Sequence, residues 1–452
     1  MRILFVRPHL YAARAHDALE PLVFAVLAGL TPPDDEVRLV DERLEPVPLD
    51  LDADLVAITI ETYTARRAYE IAAAYRARGI PVVAGGYHPT FLPGEALEHV
   101  DAVVCGDAEE VWPDVVEDAR RHRLARRYAG TRQPPLAGVR FDRRIFRGKR
   151  YPAVAAVQYG RGCRYACDFC SIHAFYGSHV RHRPVAEVAG EIAAAGRRAV
   201  LLVDDNLFLD RPRAEELFRA LTPLGVRWGC QVSLDVADDG RLLRLMAKSG
   251  CVAALVGFES LESGSLRQMS KAWNLRRPFA DAVRRFHDHG IMIYGSFIFG
   301  YDADTRETIA RTVDFALDSK LFLVNFSPLT PTPGSRLYER LRAEGRLVYD
   351  RWWLDSRYRY GDATYRPRHM SPAELTASCA EARRTFYSRA SIARRLTNVS
   401  AHLRSPWHLG LFLAANLTTR RELAAKLGHP LGAPDVPAGS SASLVHKEST
   451  SC

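Results

Sequence analysis

Two long stretches of the chain alternate apolar, strand-like runs with amphipathic helical segments. In residues 1–118, five apolar runs are separated by helical stretches, one of which ends at Gly79, a common helix stop. Strands that are apolar on both faces occur in parallel sheets covered by helices. The pattern predicts an α/β protein whose N-terminal domain is a Rossmann-like parallel sheet. Its strands are expected at 3–6, 37–41, 55–60, 81–86 and 101–106.

The second alternating stretch, residues 151–340, contains six strand–helix units. Six units are fewer than the eight of a closed TIM barrel, so a partial (β/α)6 TIM-type barrel is expected. Residues 119–150 are basic and predict a linker or short hairpin, and 341–430 predict a mostly helical C-terminal region. Residues 431–452 are rich in Pro, Gly and Ser, which predicts a disordered tail. The barrel strands are expected at 153–159, 199–205, 228–234, 253–259, 292–300 and 322–329.

Three of the eight cysteines crowd into one loop after the first barrel strand. Cys163, Cys167 and Cys170 have the spacing C-x3-C-x2-C, whereas the others are scattered. Three thiolates from one loop can bind three corners of a four-iron cluster and leave the fourth iron open for a small molecule. The alternative is zinc, which usually takes four protein ligands in paired C-x2-C units. The spacing therefore favours a [4Fe-4S] cluster.

A C-x3-C-x-aromatic-C motif at the first strand of a partial barrel resembles the radical S-adenosylmethionine (SAM) superfamily. In that family the amino and carboxylate groups of SAM bind the open iron. Reductive cleavage of SAM then yields methionine and a 5′-deoxyadenosyl radical. The resemblance covers residues 153–340, and it implies that Phe169 lies near the adenine of SAM.

The resemblance also implies where SAM is contacted. Asp204 and Asp205 follow the second barrel strand, where the family contacts the methionyl group. The segment GFES resembles the family's G-[IF]-E-S, which implies that Glu259 and Ser260 approach the ribose or the amino group. The alternatives are packing at a strand end and, for the two aspartates, capping of a helix.

Gln231 and Ser233 on the third barrel strand belong to the same predicted site. Active sites of such barrels gather at the carboxyl ends of the strands, so both side chains are expected at one mouth with the other SAM contacts.

The N-terminal domain resembles the cobalamin-binding domain of a radical SAM subfamily. That subfamily includes hopanoid methylases and the anaerobic cyclase of bacteriochlorophyll synthesis. Thr59 ends one predicted strand, and Gly85, Gly86 and His88 follow the next. In such domains a hydroxyl group bonds the nucleotide tail, and two glycines let the tail lie against the backbone.

One departure from the cobalamin pattern is the absence of D-x-H-x-x-G after the first strand. His9 and His16 are present, but neither has the flanking Asp and Gly. Cobalt would then have no protein histidine beneath it, as in many radical SAM methylases. Alternatively, the domain would bind no cobalamin, either as a doubly wound domain that has lost its ligand or as a substrate lid.

The resemblance implies a cobalamin-dependent methylase acting on an unactivated carbon of a lipid or natural product. The alternative enzyme is a radical cyclase, oxidase or rearrangement enzyme in which cobalamin is passive or absent. A third hypothesis is a sensor that holds a cluster without turnover, although Phe169 and the GFES segment argue against it. An enzyme of this class needs an electron donor such as flavodoxin or ferredoxin, besides its small-molecule substrate.

The net charge of +9 lies mainly in residues 120–150 and 383–426. No aromatic residues interleave with the basic ones in a nucleic-acid-binding pattern, so an arginine-rich surface is favoured and no nucleic acid is expected. The N-terminal run predicts a strand instead of a signal peptide, and no apolar run is long enough to span a membrane, so the cytoplasm is expected. The apolar segment at Trp407 predicts a helix packed on the barrel, with a peripheral membrane contact as the alternative.

Overall fold

The computed structural model describes residues 1–11, 15, 17–131 and 133–432. His16, Cys452 and the tail beyond residue 432 lie outside the described residues.

The first sheet has six parallel strands in the order β2-β1-β3-β4-β5-β6. Its apolar strands are buried on both faces, and Phe5 in the central strand is aligned with Leu39 on one side and Ala57 on the other. The strands are β1 (Arg2–Arg7), β2 (Glu36–Asp41), β3 (Leu55–Thr59), β4 (Val82–Gly85), β5 (Ala102–Cys105) and β6 (Arg127–Ala129). Strand β6 lies in the predicted basic linker and pairs with β5 at the sheet edge.

Five helices cover this sheet. Helix α2 ends just before Gly79, whose φ of 75° suits a residue without a side chain. The helices are α1 (Leu22–Leu30), α2 (Ala65–Ala77), α3 (Tyr87–Phe91), α4 (Pro93–His99) and α5 (Trp112–Arg120). The predicted N-terminal α/β architecture is confirmed.

The second sheet also has six parallel strands, in the order β14-β13-β12-β11-β10-β7. In the described residues β7 and β14 pair with no further strand, as expected when six strands do not close a barrel. A short antiparallel hairpin, β8 with β9, lies outside this sheet. The strands are β7 (Val154–Val157), β8 (Gly160–Arg161), β9 (Arg181–His182), β10 (Ala199–Leu202), β11 (Arg227–Val232), β12 (Cys251–Glu259), β13 (Met292–Phe299) and β14 (Leu323–Pro328).

Helices connect the strands of the second sheet, and an almost continuous apolar core lies between the two layers. The helices are α6 (Ser171–Tyr176), α7 (Val185–Ala195), α8 (Arg211–Leu221), α9 (Gly240–Lys248), α10 (Ser263–Gln268), α11 (Phe279–Asp288), α12 (Arg306–Asp318) and α13 (Arg336–Ala343).

The C-terminal region contains three helices and an aromatic segment. Helices α14 (Pro372–Phe386), α15 (Arg389–Leu396) and α16 (Pro406–Lys426) pack beside the second sheet. Trp352 and Trp353 of the aromatic segment are fully buried in the apolar cluster of the first sheet. Thus a segment distant in sequence completes the N-terminal core. No helix among the described residues is both long enough and apolar enough to cross a bilayer.

A buried arginine fixes the C-terminal helices to the sheet. Arg395 is 0% exposed and donates hydrogen bonds to the carbonyls of Leu321 and Phe322 at 2.9 Å and to Asn416 Oδ1 at 2.9 Å. Its guanidinium lies 3.7 Å from the centre of the Phe386 ring. Burial lowers the pKa of Arg395 to about 10, because no carboxylate of the described residues pairs with it.

Replacing Arg395 by Met should therefore destabilise the protein strongly. The carbonyl acceptors would be left buried without donors, at a cost of about 3 kcal/mol of unfolding free energy. The matched control is Arg394→Met, since Arg394 is exposed and pairs only with exposed Asp318. Urea unfolding of both variants measures the difference, and equal midpoints would contradict this role of Arg395.

Candidate functional site

The three clustered cysteines lie on one loop that the β8–β9 hairpin encloses. Cys167 is buried, and Cys163 and Cys170 are half-buried. The Tyr165 amide donates a hydrogen bond to Cys163 Sγ, and the Ile172 and His173 amides donate to Cys170 Sγ. Amide donors of this kind stabilise thiolates.

The sulfurs do not converge as the ligands of a single metal ion would. Among the described residues, no group of three or more His, Cys, Asp or Glu side chains is arranged around one ion position. Burial raises the pKa of Cys167 to about 12, and the nearby Cys170 and Cys163 add to this increase. A cubane cluster binds each thiolate at a separate iron, so it does not require the three sulfurs to meet at one ion position.

Two buried carboxylates hold the beginning of this loop. Asp204 accepts hydrogen bonds from the Gly160 and Tyr159 amides, and Asp205 Oδ2 accepts one from the Gly162 amide at 2.7 Å. Burial raises the pKa of Asp204 to about 7. Their contact with SAM stays a prediction, because both side chains are used to position the loop.

A third carboxylate holds the middle of the loop. Asp168, between the second and third cysteines, accepts from Tyr301 Oη at 2.6 Å and from Arg340 at 3.1 Å. Sequence reasoning missed this anchor, because both donors lie far along the chain. The loop is therefore fixed at both its start and its centre.

Of the two polar residues predicted at the third barrel strand, Ser233 is linked to the cysteine loop through Asn206. Ser233 Oγ accepts from Asn206 Nδ2 at 3.2 Å, and Asn206 also donates to Cys163. Gln231 is exposed. Phe169 packs partly buried against the apolar core of the second sheet. Contacts of these residues with SAM stay predictions.

Glu259 forms a buried ion pair that the sequence did not reveal. Lys271 Nζ lies 2.6 Å from Glu259 Oε1, and Glu259 has a φ of 66°, rare for a residue with a side chain. Burial lowers the Lys271 pKa, but Glu259, Cys167 and Cys170 raise it more strongly. A Cβ on Gly257 would stand 2.2 Å from Glu259 Oε1, so only glycine leaves room for the pair.

Ser260 belongs to a different network from Glu259. It is fully buried, and its hydroxyl accepts from the Glu262 amide at 3.0 Å. Asp304, which lies 3.5 Å from Ser260 Oγ, also accepts from the Gly300 and Tyr301 amides. The Ser260 hydroxyl is thus hydrogen-bonded within the loops at the carboxyl ends of β12 and β13. Its contact with SAM stays a prediction.

A cleft with a cavity volume of about 270 Å³ opens beside the cysteine loop, at the carboxyl edge of the first sheet. Thr59, Gly85 and Gly86 line it, as do apolar side chains of α1 and the residues Gln158 and Arg161 of the second domain. Gly86 has a φ of 108°, and a Cβ there would meet the Ile60 carbonyl oxygen at 2.8 Å.

Tyr87 connects the cleft to the cysteine loop. It lines the cleft directly after Gly86, and its ring packs edge-on against Phe175 of α6 at 4.8 Å. Burial raises the Tyr87 pKa well above its usual value, and Cys170 adds to this increase, which places Tyr87 near that thiol.

The structure does not bring His88 into the cleft. Its Nε2 lies 3.0 Å from Glu95 Oε1, and Trp353 donates to the same oxygen at 2.9 Å. His88 is thus buried between the first domain and the C-terminal region, away from the cleft where it was predicted to contact cobalamin. His9 is also buried away from the cleft, and no histidine is among the described residues lining it.

The sequence profile of the radical SAM superfamily matches residues 157–316, and that of the B12-binding domain matches residues 26–116. Bacteriochlorophyllide d C-12(1)-methyltransferase of Chlorobaculum tepidum is 30% identical over 83% of this chain and 84% of its own. The chain belongs to the radical SAM superfamily. It is one of the members that carry a B12-binding domain.

Two further similarities agree with this membership. The anaerobic magnesium-protoporphyrin IX monomethyl ester cyclase of Cereibacter sphaeroides is 26% identical over 87% of this chain and 71% of its own. The radical SAM methyltransferase TsrM of Kitasatospora setae has the same fold, with a TM-score of 0.63 at 18% identity over 85% of this chain and 83% of that chain. The predicted family and the predicted cofactors, a [4Fe-4S] cluster, SAM and cobalamin, are confirmed.

The residues present fit these cofactors. The cysteine loop supplies three sulfurs and amide donors to two of them. The cleft offers glycine backbone and apolar side chains to a nucleotide tail, including Val23, which is 39% exposed. At its rim Arg7 keeps a buried Nε without a partner, a donor suited to an amide or phosphate oxygen.

Alanine at Cys163, Cys167 or Cys170 should each remove one cluster ligand. We expect loss of bound iron and sulfide and loss of SAM cleavage, measured on anaerobically reconstituted protein. Cys379→Ala is the control, because Cys379 is buried in the apolar core. Wild-type iron content in any of the three loop variants would exclude that cysteine as a ligand.

Alanine at Gly86 should expel cobalamin from the cleft. Its Cβ would collide with the Ile60 carbonyl and strain a left-handed backbone. We expect the corrinoid absorbance of the purified protein to fall by about tenfold, a loss of near 1.4 kcal/mol. Gly94→Ala is the matched control, since a Cβ there meets nothing within 4 Å. Unchanged corrinoid content in Gly86→Ala would contradict the assignment of the cleft.

Proposed function

We propose that this cobalamin-dependent radical SAM enzyme transfers a methyl group to an unactivated carbon of an apolar small molecule, a lipid or a natural product. The observation that carries the proposal is the shared wall of the two cofactor regions. Tyr176 of α6, the helix that follows Cys170, lines the same cleft as Gly86 of the first domain. The cluster loop and the B12-binding domain therefore open onto each other.

The chain's own groups would orient the reactants. When bound, the cluster and SAM supply a carbon-centred radical and cobalamin supplies a methyl group. Lys271 holds a buried positive charge beside the cysteine sulfurs, suited to the carboxylate of an amino acid. Arg161 pairs with Glu109 at 2.6 Å and Asp107 at 3.3 Å, which closes the rim between the two domains. Such closure excludes water from a reactive site.

Aromatic and small polar side chains inside the second sheet would contact the substrate. Tyr294 and Ser296 of β13 alternate with core residues and are only partly buried. Asn325 of β14 is exposed although its neighbours in the strand are buried. Tyr63, which follows β3, packs 5.5 Å from Tyr360 on the same side of the structure. Tyrosine faces with few charges suit a polycyclic or otherwise apolar molecule.

A second candidate is radical cyclisation, because the anaerobic cyclase of Cereibacter sphaeroides matches most of this chain. In that case cobalamin would not donate a methyl group. We further infer an electron donor such as flavodoxin or ferredoxin, and a cytoplasmic location where such donors and reduced thiols occur.

Isotopic labelling separates the two candidates. With SAM labelled in its methyl group, a methylase should give one labelled substrate methyl group, one 5′-deoxyadenosine and one S-adenosylhomocysteine per turnover. Cobalamin-free protein should still form 5′-deoxyadenosine but no methylated product. A cyclised product without label would favour the cyclase, and no 5′-deoxyadenosine from fully reconstituted protein would exclude both.

A further inference from the structure

Helix α16 leaves an apolar face uncovered. Only His408, Phe412, Asn416 and Glu422 of this helix are buried, and they share one side of it. On the other side Trp407 is 37% exposed, and Leu413 and Leu417 are 37% and 50% exposed. Leu413 and Leu417 are one turn apart, and Trp407 falls on the same half of the helix, opposite the buried residues; we call these three residues the stripe.

The residues just before α16 extend this stripe. Val399 is 68% exposed and Leu403 is 40% exposed. Together with Trp407, Leu413 and Leu417 they account for five of the eight large apolar side chains that are exposed in the described part of the chain. Single exposed apolar residues are ordinary, whereas a contiguous patch indicates an interaction surface.

An arginine-rich groove adjoins the stripe. It lies between α14, α15 and α16 with a cavity volume of about 590 Å³, and Leu423, Leu427 and Tyr387 form its apolar wall. Arg383, Arg384, Arg389 and Arg420 also line it. The apolar wall and the ring of guanidinium groups match an amphiphile with an anionic headgroup.

Arg383 gives this groove a mostly buried guanidinium group. Arg383 is only 8% exposed, and its Nε is buried without a hydrogen-bond partner. No carboxylate among the described residues lies within ion-pair distance of it. A buried guanidinium without an anion is costly unless a ligand supplies one.

The charge of the whole region favours an anionic partner. Between residues 383 and 426 the sequence has eight arginines and one lysine but only one acid, Glu422. That acid is buried and pairs with Lys426 at 2.9 Å. Exposed tryptophan and leucine side chains beside such a basic region suit a surface of anionic lipid headgroups.

We propose that α14, α15 and α16 dock the enzyme on an anionic phospholipid bilayer. The stripe from Val399 to Leu417 enters the headgroup layer, and the Arg383 groove receives a lipid phosphate. The contact is peripheral. It goes beyond the methyl transfer and does not depend on it.

Vesicle binding tests this surface on the full chain with its cluster reconstituted. Trp407 is a local probe, because Trp112, Trp228, Trp352 and Trp353 are fully buried and Trp273 stacks on Tyr165. We expect co-sedimentation and a blue shift of Trp407 emission with vesicles of phosphatidylcholine mixed with equal phosphatidylglycerol. Phosphatidylcholine alone should give neither, and added salt should reverse both.

Substitutions at exposed residues test the surface without disturbing the apolar core. Leu413→Ser combined with Leu417→Ser should abolish co-sedimentation, whereas Leu49→Ser, at an equally exposed leucine of the first domain, should leave it unchanged. Arg420→Gln should weaken partitioning by about fivefold, the effect of one surface charge. SAM cleavage should be unaffected in all of these variants.

Three outcomes would overturn the proposal. The first is equal binding by wild type and the Leu413→Ser, Leu417→Ser protein. The second is the same emission shift with inorganic phosphate alone, which would assign the groove to a free anion. The third is a dimer in sedimentation velocity that Leu417→Ser dissociates, which would assign the stripe to a second copy of the chain.

Discussion

Hydrogen bonds from backbone amides to buried carboxylates restrain the loop that carries the three cysteines. Asp204 and Asp205 come from the end of the neighbouring strand, and their acceptors are directed at Gly160 and Gly162. Without these hydrogen bonds the loop could adopt many conformations. The conformational entropy lost on ordering it would then oppose a fixed arrangement of the three sulfurs. The restraint comes from residues at the end of a sheet strand, so the start of the loop is tied to the sheet.

The second organising feature is the contact between the two cofactor regions. Asp107 follows the fifth strand of the first sheet and pairs with Arg161 and Arg181 of the hairpin around the cysteine loop. Tyr87 and Phe175 add an aromatic contact across the same boundary. Each domain therefore supplies part of the wall of the shared cleft. The fold itself brings two bound reactants close together.

Much of the architecture was predictable because it rests on long apolar runs. All eleven expected strands are present, since strands buried on both faces leave an uninterrupted signal. Strand β6 and the β8–β9 hairpin were missed, because two or three residues with arginine or histidine carry no usable periodicity. The cluster cysteines were predictable for the opposite reason, since their spacing is local.

The residues that sequence reasoning missed act across long distances. Lys271 was not predicted, because its partner Glu259 comes close to it only through the fold. Glu259 ends β12 in a left-handed backbone conformation. His88 was assigned to the cleft because it follows two glycines. In the structure Glu95, which also binds Trp353, holds the His88 ring away from the cleft. Sequence shows which residues follow a strand end, but tertiary packing decides which way a side chain turns.

The burial of Trp352 and Trp353 in the core of the first domain has a consequence for recombination. The B12-binding module cannot be exchanged between relatives by cutting the chain once, after its last strand. A graft would also have to carry the matching tryptophan segment from more than two hundred positions downstream. Exchange of this module would therefore require paired crossovers, and we expect the tryptophan segment to diverge in step with the first sheet.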